Sequence, residues 1–323
     1  MKNPDRLVNN APFRALVNHA GFFRARSAIR RAFLPLVIPP WKQRQLRGRV
    51  AHQLSRCFPL LDARAIGAAA DAFIYHWGSK FSEDCLALSL DSIERYRRII
   101  DGHVLICGTD NFHRALDHGV GVLVVGSHVG STTFGTNAFL SRYLTLPRER
   151  YPVTRLCADP EIRRFPKVLE NAESALRDYG GDIRFIFTDR SFRSIATEMC
   201  EILAAGGLVT TNLDVMMGGS NRSPFPLFGQ VQVFLPAVIG AARTALRTGA
   251  VILPWSNLRT AAGFSLEIEP PIGPVPRLGV DFADDHPELL ALCEILRRRL
   301  EDWITTNPEQ WVYWDRFHQR IVA

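Results

Sequence analysis

Long apolar segments are missing from this sequence, although apolar residues make up 47% of it. No run approaches the roughly 18 to 20 residues that a helix needs to cross a bilayer. The longest candidate near the start, residues 32–37, is short and is followed by Pro39 and Pro40. Because residues 1–10 are polar and no continuous apolar stretch follows them, we expect neither a spanning helix nor a signal peptide.

Cysteine is sparse, and its spacing argues against two kinds of site. The six cysteines stand far apart, at positions 57, 85, 107, 157, 200 and 293. This spacing predicts reduced thiols in a cytoplasmic protein, without a disulfide framework or a zinc site. The sequence also has no His-Glu-x-x-His, Walker or Gly-x-Gly-x-x-Gly pattern, so we expect no metal and no nucleotide cofactor.

Acidic residues are nearly absent from the first 50 positions. One acid, Asp5, stands there against eleven Lys or Arg, a net charge of +10 in a chain of +7. Apolar residues such as Phe22, Phe23 and Ile29 are interleaved with these charges. Such a mixture favours binding to an anionic membrane surface. The alternatives are an acidic protein partner, or a helix that packs on the rest of the protein with its charged face in solvent. The rest of the chain has no basic stripe, so we expect no nucleic-acid binding.

Strand-like and helix-like segments alternate through most of the remaining chain. Residues 43–100 have helical spacing of apolar positions, and short apolar runs then alternate with helical segments. The predicted strands are 103–107, 122–125, 151–156, 182–187, 208–213, 250–255 and 264–268, and the predicted helices include 111–118, 161–179, 191–205, 236–248 and 286–304. This order predicts an α/β domain with a mostly parallel sheet flanked by helices, preceded by a helical N-terminal region.

One predicted strand ends by presenting a histidine. The run 122–125 stops at Gly126, and His128 follows among glycines and hydroxyl side chains. Chemistry in α/β proteins gathers at the carboxyl ends of strands, and imidazole is well matched to proton transfer near neutral pH. His128 is therefore a candidate general base, although no carboxylate lies within the next six residues to orient it. A core histidine bonded to backbone is the alternative.

Four segments together resemble the bacterial lipid A lauroyl/myristoyl acyltransferase family, a branch of the lysophospholipid acyltransferase-like superfamily. They are GVLVVGSHVGSTT (121–133), LVTTNLDVMMGGSNRSPFPLFGQ (208–230), AARTALRTGAVILPWSNLR (241–259) and NPEQWVYWDRF (307–317). The resemblance implies an α/β fold that transfers an acyl group from an acyl carrier protein or coenzyme A thioester. It implies an acceptor hydroxyl, usually on a glycolipid at the inner face of the membrane, with His128 as general base.

The chain departs from the family at the residue that orients the base. Thr133 stands five residues after His128, where the family has Glu or Asp. A hydroxyl cannot supply the negative charge that stabilises imidazolium, and losing an orienting carboxylate costs up to roughly 10⁴ in rate. Three interpretations stay open: a carboxylate from elsewhere, with Asp214 before Asp159; an acceptor such as an amine that is easier to activate; or a lipid- or acyl-binding protein with weak or no activity.

Further residues are candidates for substrate contact. Small side chains around His128 leave room for a substrate, and hydroxyl side chains there can donate hydrogen bonds to an oxyanion. The arginine that the resemblance places downstream can bind phosphate or carboxylate groups. This predicts a substrate-binding set of Ser127, Gly130, Ser131, Thr132, Thr133 and Arg259 beside the catalytic pair His128 and Asp214. Asn212, Arg222 and the loop 216–219 are weaker candidates, while Trp311 and Trp314 are expected to pack.

The predicted organisation has two parts. Residues 1–50 form a basic amphipathic segment, and residues 51–323 form one acyltransferase-like α/β domain. We expect a cytoplasmic protein held peripherally on the inner membrane, with an acyl carrier protein or coenzyme A as donor, a lipid or small-molecule acceptor and no cofactor of its own.

Overall fold

A computed structural model gives the fold. It describes residues 39–89, 93–143, 154–158, 183–187, 192–215, 224–228, 231–279, 282–319 and 321, with a few isolated positions before residue 39. Helices α1 to α8 are Pro40–Cys57, Ala63–Ser89, Ile93–His103, Thr109–Asp117, Thr132–Tyr143, Phe192–Ala204, Pro236–Thr248 and Pro287–Thr306. Strands β1 to β9 are Val104–Cys107, Val122–Gly126, Thr154–Ala158, Ile183–Phe187, Leu208–Asn212, Pro224–Leu227, Val231–Phe234, Val251–Arg259 and Phe264–Ile268.

The described strands form one large sheet and one small hairpin. The large sheet has the order β1-β9-β8-β2-β5-β3-β4, and every neighbouring pair in it is parallel except β8 and β9. The hairpin of β6 and β7 is antiparallel. The prediction of an α/β fold with a mostly parallel sheet and flanking helices is confirmed.

Strand β2 lies at the centre of the sheet because its sequence is apolar without interruption. All five of its residues are buried, which is the pattern of a parallel strand covered on both faces. It pairs with β5 on one side and with β8 on the other. Fully burying a side chain such as Leu123 stabilises the fold by roughly 1.5–3 kcal/mol, so this strand fixes the frame that carries the site.

Most predicted elements agree with the structure, but one strand is longer than predicted and one hairpin was not predicted. Helix 236–248 and strand 264–268 have the predicted limits, whereas the strand predicted at 250–255 continues to Arg259 as it pairs with β9. The hairpin β6–β7 was not predicted, since Pro224 and Pro226 are unusual in strands. The helix predicted at 161–179 lies outside the described residues.

Helix α1 runs through the predicted domain boundary at residue 50. Its apolar face is buried in the core at Leu46, Val50, Leu54 and Cys57. Its cations are on the outside, and Arg47 pairs there with Asp71 of α2. The division at residue 50 stays a prediction. Within the described part of the chain, no helix combines the length and apolar character that a membrane crossing requires.

Candidate active site

The site lies where two neighbouring parallel strands end. Strand β2 ends at Gly126 and β5 ends at Asn212, and these two residues are partners in the sheet register. His128 and Asp214 each follow two residues later. Because the strands are parallel and in register, equal offsets bring the two side chains to the same edge of the sheet, where α/β proteins bind their ligands.

His128 and Asp214 form a close pair. The Nδ1–H of His128 donates to Oδ1 of Asp214 at 2.8 Å, and the backbone N–H of His128 donates to Oδ2 at 2.8 Å. The carboxylate is fully buried, while the imidazole is 20% exposed. A carboxylate only accepts hydrogen bonds, so the proton of a neutral ring resides on Nδ1 and the lone pair on Nε2.

The free side of the imidazole faces Asn212. The side-chain Nδ2 of Asn212 lies 3.5 Å from Nε2 of His128, at the outer limit of a hydrogen bond. The ring of Tyr313 meets the imidazole edge-on, with 5.0 Å between ring centroids. Because Nδ1 is bound to Asp214, Nε2 is the ring nitrogen that can accept a proton.

The C-terminal segment, residues 307–319, completes the surroundings of Asp214. Nε1–H of Trp311 donates to Oδ2 of Asp214 at 2.8 Å, so this oxygen accepts both from Trp311 and from the backbone of His128. Trp311 also packs edge-on against Trp314 and Phe317. A buried carboxylate needs such donors, because burial without partners strongly disfavours its charge.

Backbone contacts join the same segment to the histidine loop. The N–H of Val312 donates to the carbonyl of His128 at 3.2 Å, and the N–H of Gly130 donates to the carbonyl of Gln310 at 3.1 Å. Gly130 has a φ of 75°, and a Cβ there would lie 1.7 Å from the carbonyl oxygen of Asn257. Only glycine fits this position, and its amide is already occupied, so it does not donate to an oxyanion.

The predicted hydroxyl residues have separate surroundings. Ser127 is buried and its Oγ accepts from the N–H of Val129 at 3.4 Å. Ser131 is buried, and its carbonyl accepts from Nδ2 of Asn257. Thr132 is half-buried, and its buried Oγ1 has no hydrogen-bond partner among the residues that the structure describes. Thr133 is the second residue of α5, and the prediction for its side chain lies outside what the structure describes.

Arg259 is buried against a carboxylate of helix α2. Its Nε donates to both oxygens of Glu83, at 2.9 and 3.0 Å, and the two side chains are 3% and 0% exposed. The side chain of Gln310 bonds both to the N–H of Arg259, at 2.8 Å, and to its carbonyl, at 3.1 Å. The guanidinium therefore ties α2 to β8 in this structure, and its contact with substrate stays a prediction.

Several predicted residues are not covered. Asp159, the alternative carboxylate, and Arg222 and the loop 216–219 lie outside the described residues. Among the residues that are described, no group of three or more His, Cys, Asp or Glu side chains is arranged to hold a metal ion.

The contacts of Trp311 and Gln310 within the site were not predicted from the sequence. Trp311 was expected only to pack, yet it donates to Asp214, and Gln310 was not considered. Both belong to the segment 307–317, which had been recognised for its resemblance. Their presence in that segment was the available signal, but a position far along the chain does not reveal which strand end it contacts.

Comparison with known families supports the resemblance. Residues 186–321 match the model of the family described as bacterial lipid A biosynthesis acyltransferase, which confirms the resemblance and supports acyltransferase activity in general. The match includes Asp214, Arg259 and Trp311 and three of the four segments, but not the segment around His128. No curated protein matches the chain.

Proposed function

We propose that the protein transfers an acyl group from an acyl carrier protein or coenzyme A thioester to a hydroxyl acceptor on a lipid or glycolipid. The observation that carries this proposal is the hydrogen-bonded pair of His128 and Asp214 at the carboxyl edge of the sheet. It supplies the carboxylate that the residue at position 133 does not. An amine is the alternative acceptor.

The proposed step begins with the acceptor hydroxyl beside Nε2 of His128. The hydroxyl oxygen attacks the thioester carbonyl carbon while Nε2 takes the hydroxyl proton, so a C–O bond forms and the carbonyl electron pair moves onto oxygen. When the tetrahedral intermediate collapses, the C–S bond breaks and the imidazolium returns its proton to the leaving thiolate. The products are an ester and a free thiol, and His128 ends in the protonation state in which it began.

Asp214 has two tasks in this scheme. Its bond to Nδ1 holds the ring in the tautomer that leaves Nε2 free, and its charge stabilises the imidazolium that forms during attack. Its second oxygen is held by Trp311 and by the backbone of His128, so the carboxylate does not have to reorganise during the reaction.

The first turn of α5 supports charge stabilisation. This helix begins at Thr132, four residues after His128, and the first amides of a helix have no acceptor within the helix. Their partial positive charge favours a developing oxyanion near the start of the helix. The hydroxyls of Ser127, Ser131 and Thr132 are the proposed side-chain contribution, since Gly130 uses its own amide elsewhere.

The test is mass spectrometry of acyl transfer with the purified protein. It is incubated with acyl carrier protein and coenzyme A thioesters and with glycolipid, alcohol and amine acceptors. We expect a mass increase of the acceptor that is lost in His128→Ala and kept in His118→Ala, a control at an exposed histidine outside the site. A non-catalytic acyl-binding protein would instead bind the thioester without producing any acylated acceptor.

We propose further that residues 1–50 hold the protein on the cytoplasmic face of an anionic membrane. The supporting observations are the net charge of +10 in this segment and the outward cations and exposed Trp41 of α1. Cosedimentation should occur with vesicles that contain phosphatidylglycerol and fall as salt is raised, because screening weakens such attraction. Equal binding to purely zwitterionic vesicles would contradict this proposal.

A further inference from the structure

A glycine at the end of β2 creates a notch in the sheet beside the catalytic pair. Gly126 pairs with Asn212 of β5, and the residue before it, Val125, pairs with Pro254 of β8. Trp255 is therefore the next β8 residue along the same edge. Trp255 of β8, Gly126 of β2 and Asn212 of β5 therefore lie side by side on neighbouring strands, and Gly126 stands two residues before His128.

Both flanking side chains lean over Gly126. A Cβ at this position would lie 2.4 Å from Nε1 of Trp255 and 3.1 Å from Oδ1 of Asn212. The absence of a side chain at Gly126 is what lets the indole nitrogen reach this point. The other end of the same Asn212 amide lies 3.5 Å from Nε2 of His128, so the indole N–H lies near the basic side of the imidazole.

Within the part of the chain that the structure describes, the indole N–H of Trp255 has no hydrogen-bond partner. Trp255 is 5% exposed, and its Nε1 is buried without an acceptor. Buried tryptophans usually find a partner for this donor, because leaving it unpaired costs free energy. The ring is held in place by the sheet and by Phe139 of α5, with 6.1 Å between ring centroids. It is a fixed donor with no acceptor among the described residues.

We propose that Nε1–H of Trp255 donates a hydrogen bond to the carbonyl oxygen of the acyl thioester and to the oxyanion formed from it. This inference rests on the proposed function and adds a catalytic donor to it. As the acceptor oxygen bonds to the carbonyl carbon, the electron pair moves onto the carbonyl oxygen, and the bond from Nε1–H strengthens. The proton stays on the indole, and only His128 gains and returns one.

Asn212 has a positioning role in this arrangement. Its amide lies between the indole and the imidazole, so it keeps the carbonyl oxygen on the Trp255 side and the attacking hydroxyl on the His128 side. A fixed donor that meets charge only in the transition state lowers the barrier without strengthening substrate binding.

The test compares kcat and KM for acyl transfer in Trp255→Phe with those of the wild type. Removing one oxyanion donor is expected to lower kcat by about 10²–10³-fold with little change in the KM for the thioester. Trp303→Phe, which also removes a buried indole N–H but one that donates to Glu269, is the matched control and should keep the wild-type kcat.

A second variant separates the donor from the ring. Benzothienylalanine at position 255 keeps the bicyclic shape but carries sulfur in place of N–H, so it should fold as the wild type and show the same loss of kcat. A kcat within about twofold of the wild type in this variant overturns the inference, and means that the indole N–H meets only a buried water.

The outcomes for the two proposals are distinct. Loss of transfer in His128→Ala together with full kcat in both Trp255 variants rejects the role of Trp255 alone. Absence of transfer in the wild type, with every donor and acceptor, rejects the proposed function and the role of Trp255 with it.

Discussion

At the scale of single residues, the buried carboxylate of Asp214 determines the properties of the site. It accepts from the backbone N–H and Nδ1–H of His128 and from Nε1–H of Trp311. Hydrogen bonds to a charged group contribute more than those between neutral groups. These donors offset the cost of burying the charge and fix the direction from which the carboxylate meets the imidazole.

Trp311→Phe is expected to lower kcat by about tenfold to hundredfold. The substitution removes one hydrogen bond to a charged group, a loss of about 1.5–3 kcal/mol. Steady-state transfer kinetics measure the effect. Trp314→Phe is the control, since Trp314 is equally buried but donates to the carbonyl of Pro308. Equal losses in both variants would mean that packing alone, rather than the bond to Asp214, is responsible.

A half-buried histidine outside the site predicts how stability depends on pH. Burial, together with the nearby cations Arg259 and Arg26, lowers the pKa of His76 from 6.5 to about 4. The unfolded chain therefore binds a proton at His76 at a higher pH than the folded chain does. Between pH 6.5 and about 4, acidification thus favours unfolding.

His76→Gln should reduce this acid sensitivity. Urea denaturation at pH 7, 5.5 and 4.5 measures the free energy of unfolding, which should fall less on acidification in the variant than in the wild type. His103 has a lowered pKa of the same origin, so part of the dependence should remain. An unchanged slope in His76→Gln, matching that of the exposed control His118→Gln, would contradict the assignment.

At the scale of elements, the C-terminal segment acts as a brace between the histidine loop and the sheet. Val129 and Trp311 form an isolated bridge, and Gln310 bonds to both backbone groups of Arg259 through its side chain. Helix α2 is joined to the same strand by the pair of Glu83 and Arg259. The site is therefore assembled from parts that are far apart in the sequence.

Gln310→Ala is expected to destabilise the fold by about 2–4 kcal/mol. It leaves the N–H and carbonyl of Arg259 without their side-chain partner, and an unsatisfied buried group costs about 1–3 kcal/mol. Urea denaturation monitored by tryptophan fluorescence measures the change. Gln45→Ala, on the exposed face of α1, should change stability by less than about 0.5 kcal/mol. A similarly small change in Gln310→Ala would contradict the claim that the bonds between Gln310 and Arg259 stabilise the fold.

The elements also show what could be predicted from sequence and why. Helix 236–248 had clear boundaries, with Pro236 at its start and Gly249 in a left-handed conformation after its end. Strand β2 was evident as an uninterrupted apolar run. The hairpin β6–β7 was not, since its two prolines obscure the strand pattern. Helix-end residues and apolar runs therefore predict individual helices and strands. They also predict that His128 lies at the carboxyl end of β2.

Contacts between distant segments could not be read in the same way. Asp214 was the preferred replacement for the missing acid because it follows a strand of the same sheet, but the strand order that brings β5 beside β2 is a property of the whole fold. The bond from Trp311 and the pairing of Arg259 with Glu83 depend on packing of helices against that sheet. No pattern within one segment encodes either contact.

At the scale of the whole molecule, the sheet edge of the described structure carries the site, and the sequence of the N-terminal segment carries the net positive charge. Three adjacent strands, β8, β2 and β5, place Trp255, His128 and Asp214 along one edge. The net positive charge of the sequence is concentrated in residues 1–50, with +10 there in a chain of +7. Such a charge distribution in the sequence is typical of proteins that bind anionic surfaces.

The most direct test of the account is the single-turnover rate of acyl transfer in Asp214→Asn, measured with saturating thioester. The account predicts a rate about 10³–10⁴-fold below that of the wild type, with unchanged thioester affinity, because the amide neither fixes the tautomer of His128 nor stabilises the imidazolium. A rate close to that of the wild type would contradict the central claim that Asp214 replaces the carboxylate absent at position 133.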